Sequence, residues 1–251
     1  MKTISIRWLL ALSGLGVLLA VGPAQAISFT ESGDAGESLT DAISVTADQP
    51  TPLDSISGVL SGDADLFKIF LTGGQTFSAT TLSSTTAEIP VNQAIGIPIE
   101  VVIDPKIFLF DALGNGVYAN DDAFGSTQST LLSGPSGFSP PEPGNYFLGI
   151  SGSGYEAFSA NGQIFPTEPF DQQAGPTGPG GGAPLTEFAG DRTLSFGKYT
   201  LSLTGAQTVA TANSPVSVPD PSMTLSLLAL GAVAVTSKIK KLGDTQNETL
   251  K

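Results

Sequence analysis

The chain has no histidine and no cysteine, and only ten lysines and arginines against 23 acidic residues. Each absence removes a class of chemistry. Without His or Cys there is no Ser-His-Asp triad, thiol nucleophile, Cys/His zinc site, haem-attachment motif or disulfide framework. A formal charge of −13 and an isoelectric point near 4.1 have the wrong sign for gripping a phosphate backbone, so nucleic acid is not expected as a partner. Helical periodicity is missing too, since no window of residues 27–222 keeps an i, i+3, i+4 apolar pattern for three turns. What remains is 40% hydrophobic residues in 251, enough for a packed core, punctuated by 30 glycines and 18 prolines.

Both ends carry apolar segments that resemble addresses. Residues 1–26 begin with Lys2 and Arg7, continue through an apolar run from Trp8 to Val21, and finish in Ala24-Gln25-Ala26. That order is the pattern of a secretory signal peptide cleaved after Ala26. The competing reading, an uncleaved anchor helix, is weakened by Gly14, Gly16 and Pro23, which interrupt the run. Near the other end, Pro219-Asp220-Pro221-Ser222 precedes an apolar stretch from Met223 to Thr236 and a basic cluster, Lys238, Lys240 and Lys241. Extended to Ile239 it would form a helix of about 25 Å, marginal for a hydrocarbon core of about 30 Å. The lysines would stay cytoplasmic and leave the body outside.

Pro-x-Pro-Ser, a short apolar helix and a basic cluster together resemble the PEP-CTERM sorting signal of Gram-negative bacteria. Asp220 stands where the usual motif has Glu, and a polar tail, 242–251, runs on past the lysines. The resemblance implies an exosortase-like processing enzyme as partner, with the protein held in the inner membrane through its C-terminal helix before processing. An ordinary membrane anchor behind a proline linker has the same outline.

The body between these signals, residues 27–222, holds four bases and 21 acids, a net of −17. Such a charge keeps an envelope protein soluble and repels anionic polymers unless divalent cations bridge them. Short β-rich runs separated by Gly, Asn, Asp, Ser and Pro make the body all-β. Phe67, Ile69 and Leu71 share one face of a strand, and Thr72-Gly73-Gly74-Gln75 reads as a hairpin turn into 76–82. Ile99–Ile103 and Ile107–Phe110 read as central strands, while alternation in 145–151 and 198–204 marks the closing strands of the core. Phe158–Gly190, with its Gly/Pro tract 175–182, reads as a long surface loop, and Gly205–Pro219 as an extended tether.

The succession Ile56-Ser57-Gly58-Val59-Leu60, Gly62-Asp63-Ala64-Asp65-Leu66-Phe67, Ile107-Phe108-Leu109-Phe110-Asp111, Asn120-Asp121-Asp122, Pro143 to Gly152 and Tyr199 to Gly205 resembles the prepeptidase C-terminal (PPC) domain. The resemblance implies a jelly-roll-like β-sandwich over 27–205, a linker at 206–218 and the sorting segment at 219–241. Such domains are usually non-catalytic appendages of secreted proteases or free-standing exported proteins. Some relatives bind calcium, and some bind extracellular polymers. In the calcium-binding ones an acidic segment at the domain's start meets an Asp pair before the first aromatic strand. Here the matching residues are Glu31, Asp34, Asp63 and Asp65, although Gly62 to Asp65 also suits a plain turn closed by Asp side chains.

A second acidic stretch, Asp111 to Gly116 with Asn120-Asp121-Asp122, lacks the alternating ligands and terminal Glu of an EF-hand. Its simpler reading is a hairpin turn at Asn115-Gly116 and a strand ending at Asp121-Asp122. Paired carboxylates can run glycoside hydrolysis, yet no spacing singles out a pair. The function expected is an exported, non-enzymatic interaction or structural module at the cell envelope or extracellular matrix. Its partners would be exopolysaccharide or envelope proteins, with Ca2+ as a cofactor. The alternative is a calcium-dependent carbohydrate-binding module, for which Tyr118, Tyr155 and Phe170 are the candidate aromatic platform.

Overall fold

A computed structural model of the chain describes residues 25–74, 76–82, 87–89, 99–101, 104–134 and 137–211. The signal segment 1–24, the sorting motif Pro219-Asp220-Pro221 and the apolar stretch behind it lie outside these residues. Every regular element described is a strand, and no helix among the described residues is long and apolar enough to cross a membrane. The first eight strands are β1 (Ile27–Thr30), β2 (Ile43–Ser44), β3 (Thr46–Ala47), β4 (Pro52–Ser61), β5 (Asp65–Leu71), β6 (Ser78–Thr81), β7 (Ala87–Ile89) and β8 (Ile99–Val101). The next eight are β9 (Pro105–Phe110), β10 (Gly116–Asn120), β11 (Thr130–Leu132), β12 (Gly144–Gly152), β13 (Tyr155–Ser159), β14 (Gly162–Gln163), β15 (Leu185–Gly190) and β16 (Phe196–Gln207).

The main sheet runs β1-β4-β16-β5-β12-β9-β10, with β6 also on β16, β11 on β6 and β2 on β5. It folds over on itself as a β-sandwich, and β16 is the fold line. Up to Thr204 this strand pairs with β4 and β6; from Ala206 it pairs with β4 and β5. Gly205, in the left-handed region at φ 74°, makes the switch, and a Cβ there would lie 2.6 Å from the Thr76 carbonyl oxygen. Three residues of β16 then face a single residue of β4, a bulge that bends the strand between layers. The body therefore runs past the expected boundary at 205. Ala206 is buried in the core, and Thr208 and Val209 donate backbone N–H groups to Thr51 and Val45 (2.9 and 2.8 Å).

The alternation in β5, β12 and β16 sends Phe67, Ile69, Tyr146, Leu148, Leu201 and Leu203 into one core between the two layers. The opposite face of the central strands is apolar as well. Leu66, Phe108, Phe110 and Phe147 form a second core with Tyr155 and Phe188 from the small sheet β14-β13-β15, and with Ile164 and Phe165. All six residues of β9 are consequently buried, which explains the apolar run Ile107–Phe110. Phe108 meets Phe188 edge-on at 5.4 Å, and Phe165 packs 5.7 Å from Phe110. Each such fully buried side chain contributes about 1.5–3 kcal/mol of transfer free energy.

Three local expectations change. β5 and β6 do not pair as a hairpin, because β5 has β12 on one edge and β2 and the end of β16 on the other. The left-handed Gly73 and Gly74 instead carry the chain to the facing layer, where β6 pairs with β16 and β11. In the β9–β10 turn the left-handed residue is Gly114, at φ 87°, rather than Gly116. Finally, 158–190 is not one surface loop: its ends are strands, and Ile164 and Phe165 between them are fully buried.

One ion pair crosses the second core. Lys106 of β9, 2% exposed, donates from Nζ to Glu156 Oε1 of β13 at 2.8 Å. Lys106→Met alone strands a buried carboxylate and should cost about 3–5 kcal/mol by urea denaturation, whereas adding Glu156→Leu should recover part of that loss. Equal destabilisation by the single and double variants would show that the pair does not hold these layers together.

Candidate metal centre

Carboxylates from two distant stretches meet where β5 begins. Parallel β1 leans on β4, pairing Phe29 with Ile56 and Thr30 with Ser57, and the Glu31 N–H donates to the Ser57 carbonyl (2.8 Å). Left-handed Gly33 and Gly36 then turn the chain, and Asp34 Oδ1 accepts the Gly36 N–H (3.2 Å). Leu66 N–H donates to the Gly36 carbonyl, and Ala64 N–H to Glu37 Oε1, both at 3.2 Å. Segment 31–37 is thereby laid against the β4–β5 turn. One carboxylate oxygen from each of Glu31, Asp34 and Asp65 lies within 4.8 Å of the other two.

A glycine in mid-strand makes the meeting feasible. A Cβ on Gly58 of β4 would collide with Glu31 Oε2 and Tyr199 Oη. In the space left, the Tyr199 hydroxyl donates to Asp65 Oδ2 at 2.6 Å and stands 3.3 Å from Glu31 Oε2. Glu31 Oε2 also accepts the Val59 N–H (3.1 Å). One phenolic proton thus faces two acceptors. Asp65 is 0% exposed, and its Oδ1, like Glu31 Oε1, is enclosed without a hydrogen-bond partner. An oxygen-only donor set with orphaned buried oxygens fits a hard cation such as Ca2+.

Burial, reinforced by the charges of Glu31, Asp63 and Asp34, pushes the Asp65 carboxyl up to about 8 against the pull of the Tyr199 hydrogen bond. Glu31 is raised as well, chiefly by burial, and Tyr199 is raised by burial and by Asp65. At neutral pH without an ion, the centre retains a proton on Asp65. A divalent cation would supply the same compensation and displace it.

Of the four expected ligands, the structure brings together Glu31, Asp34 and Asp65. Asp63 does not join them, because its Oδ1 closes the turn by accepting the Ser61 N–H at 2.7 Å. Arg192 is engaged nearby: its guanidinium stacks 4.5 Å over the Tyr155 ring, Nη1 donates to the Gly62 carbonyl (2.9 Å) and Nη2 stands 3.7 Å from Glu37. Ala26, the expected cleavage residue, directly precedes β1. A cavity of about 530 Å³ opens beside Glu31 and Tyr199, walled by Gly58, Val59 and Leu82. The sequence reading passed over Gly58 and Tyr199 as site members, although a glycine inside a strand signals a close approach.

The candidate aromatic platform does not assemble. Tyr118 and Tyr155 are fully buried, and of the three only Phe170 is exposed. Compared with known proteins, the chain matches no protein-family model and no curated protein.

Because Asp65 binds its proton more tightly folded than unfolded, its contribution to the stability of the metal-free protein is fully present below about pH 4 and is lost as pH rises through about 8. In chelator, Tm should fall by roughly 5–10 °C between pH 4.5 and 8.5. Asp65→Asn, which keeps an acceptor for Tyr199, should flatten the slope. An unchanged slope in that variant would place the proton elsewhere.

Proposed function

We propose that this chain is an exported, non-catalytic interaction module whose Glu31–Asp34–Asp65 centre takes up Ca2+ and clamps the first segment of the body onto the sandwich. The observation that carries the reading is Asp65, fully buried beside two further carboxylates with an oxygen that no protein donor satisfies. Its burial also argues against acid catalysis there, since substrate cannot touch a carboxyl with no exposed surface. Export and sorting rest on the sequence of residues 1–26 and 219–241. The PPC resemblance supports the reading through its ordered motifs, and the sandwich is compatible with it. A body charge of −17 favours cation-bridged contact with anionic exopolysaccharide or envelope proteins over direct contact.

Calcium at a hundredfold excess over Kd stabilises a folded state by about 2.7 kcal/mol. At roughly 2–4 °C per kcal/mol, the full chain should gain about 5–10 °C in Tm at pH 7.5. Asp65→Asn should remove this centre's share of that gain. So should Gly58→Ala, by expelling the Glu31 carboxylate. A calcium-independent Tm in the parent chain would remove the centre.

A second reading, a calcium-dependent carbohydrate-binding module, is favoured by one surface feature. Phe124 (89% exposed) and Phe170 (51%) line one shallow cavity with Asp122 and Asp171, and exposed rings offer stacking faces to sugars. Calcium-dependent retention on immobilised glycans, lost in Phe124→Ala/Phe170→Ala, would select this reading. Retention unchanged by that variant would reject it.

A further inference from the structure

The β9–β10 hairpin pairs Asn120 with Ile107, and this register carries Asp121 and Asp122, just past β10, beside Asp104, just before β9. One carboxylate oxygen of each lies within 4.8 Å of the other two. All three Oδ1 atoms are enclosed and have no hydrogen-bond partner. Asp121 is the most deeply set, 9% exposed, and its Oδ2 accepts the Ser153 hydroxyl at 3.1 Å. Glu156, 5% exposed, lines the same cleft, and its Oε2 is likewise without a partner. The cleft, about 440 Å³, is completed by Thr167, Glu168 and Phe170.

The local cation does not balance these charges. Lys106 Nζ is 2.8 Å from Glu156 and 3.9 Å from Asp121 Oδ2, so one ammonium serves two buried acids. Asp104 and Asp122 have no share in it among the described ion pairs. Satisfying three enclosed oxygens of one sign therefore calls for a positive charge from outside the chain. The donors are all oxygen, which suits Ca2+ and excludes a preference for soft metals.

We infer that Asp104, Asp121 and Asp122 hold a second divalent cation, of calcium type, at a site sharing no residue with the Glu31–Asp34–Asp65 centre. β12 lies between the two, paired with β5 on one side and β9 on the other. The inference does not rest on the first centre being filled.

Calorimetric titration of the full chain with Ca2+ at pH 7.5 tests it through stoichiometry, using Asp65→Asn, Asp104→Asn/Asp122→Asn and their combination. Two ions are expected in the parent, one in each variant and none in the combination. The Asn substitutions relieve like-charge repulsion, so the variants should keep the parent's β circular-dichroism spectrum. A single ion that survives Asp65→Asn and disappears in Asp104→Asn/Asp122→Asn would sustain this site while removing the first. A single ion lost in Asp65→Asn, or a count unaffected by Asp104→Asn/Asp122→Asn, would overturn the second site and leave the first standing. No binding at all would overturn both.

Discussion

Both faces of β5, β12 and β9 are apolar, and a sheet of that kind exists in water only if two separate layers cover it. One cover is the sheet β1-β4-β16-β6-β11; the other is β13 to β15 with the chain between them. The Gly/Pro tract belongs to this second cover. Gly178 and Gly180 lie against the backbone of Gln163 and Gly162, where a Cβ would find no room. A composition that looks like a passive linker thus holds Ile164 and Phe165 over the Phe108–Phe110 pair.

The same central sheet gathers the acids. Ile150 of β12 lies opposite Asp65 on one side and Ile107 on the other, so the starts of β5 and β9 share one end of the sheet with the finishes of β12 and β10. At about 4.8 Å per strand, the two carboxylate groups stand on strands about 10 Å apart. Four bases in the body leave little to compensate them, and Lys106 is committed to the core. Six carboxylates in two clusters are therefore gathered at one end of the central sheet.

Strand identity was legible in the sequence wherever alternation recorded burial. Tyr146, Leu148 and Ile150 in β12, and Tyr199, Leu201 and Leu203 in β16, needed only a period of two. Partnership was less legible, because an apolar stripe does not say which strand lies beside it. Gly73-Gly74 looks like a hairpin turn locally, and only the occupied edges of β5 send the chain elsewhere. Tyr118 and Tyr155 sit next to turns in sequence but inside the two cores in space. For the carboxylates, proximity in sequence misled twice. Asp63 lies two residues from Asp65 yet is used up by its own turn, while Asp104, just before β9, meets Asp121 only through hairpin register. Gly58 and Tyr199 were visible as motif residues, but the void between them is a property of three dimensions.

The position of β16 has a temporal side. It is the last strand of the main sheet, and among the described strands it alone links β4 to β6 and to β5. A polypeptide delivered amino-end first, from a ribosome or through a pore, remains unlatched until residue 207 has emerged. Both halves wait on that final segment, so interrupted synthesis or early proteolytic clipping near this end yields an open, sticky intermediate instead of a smaller folded product.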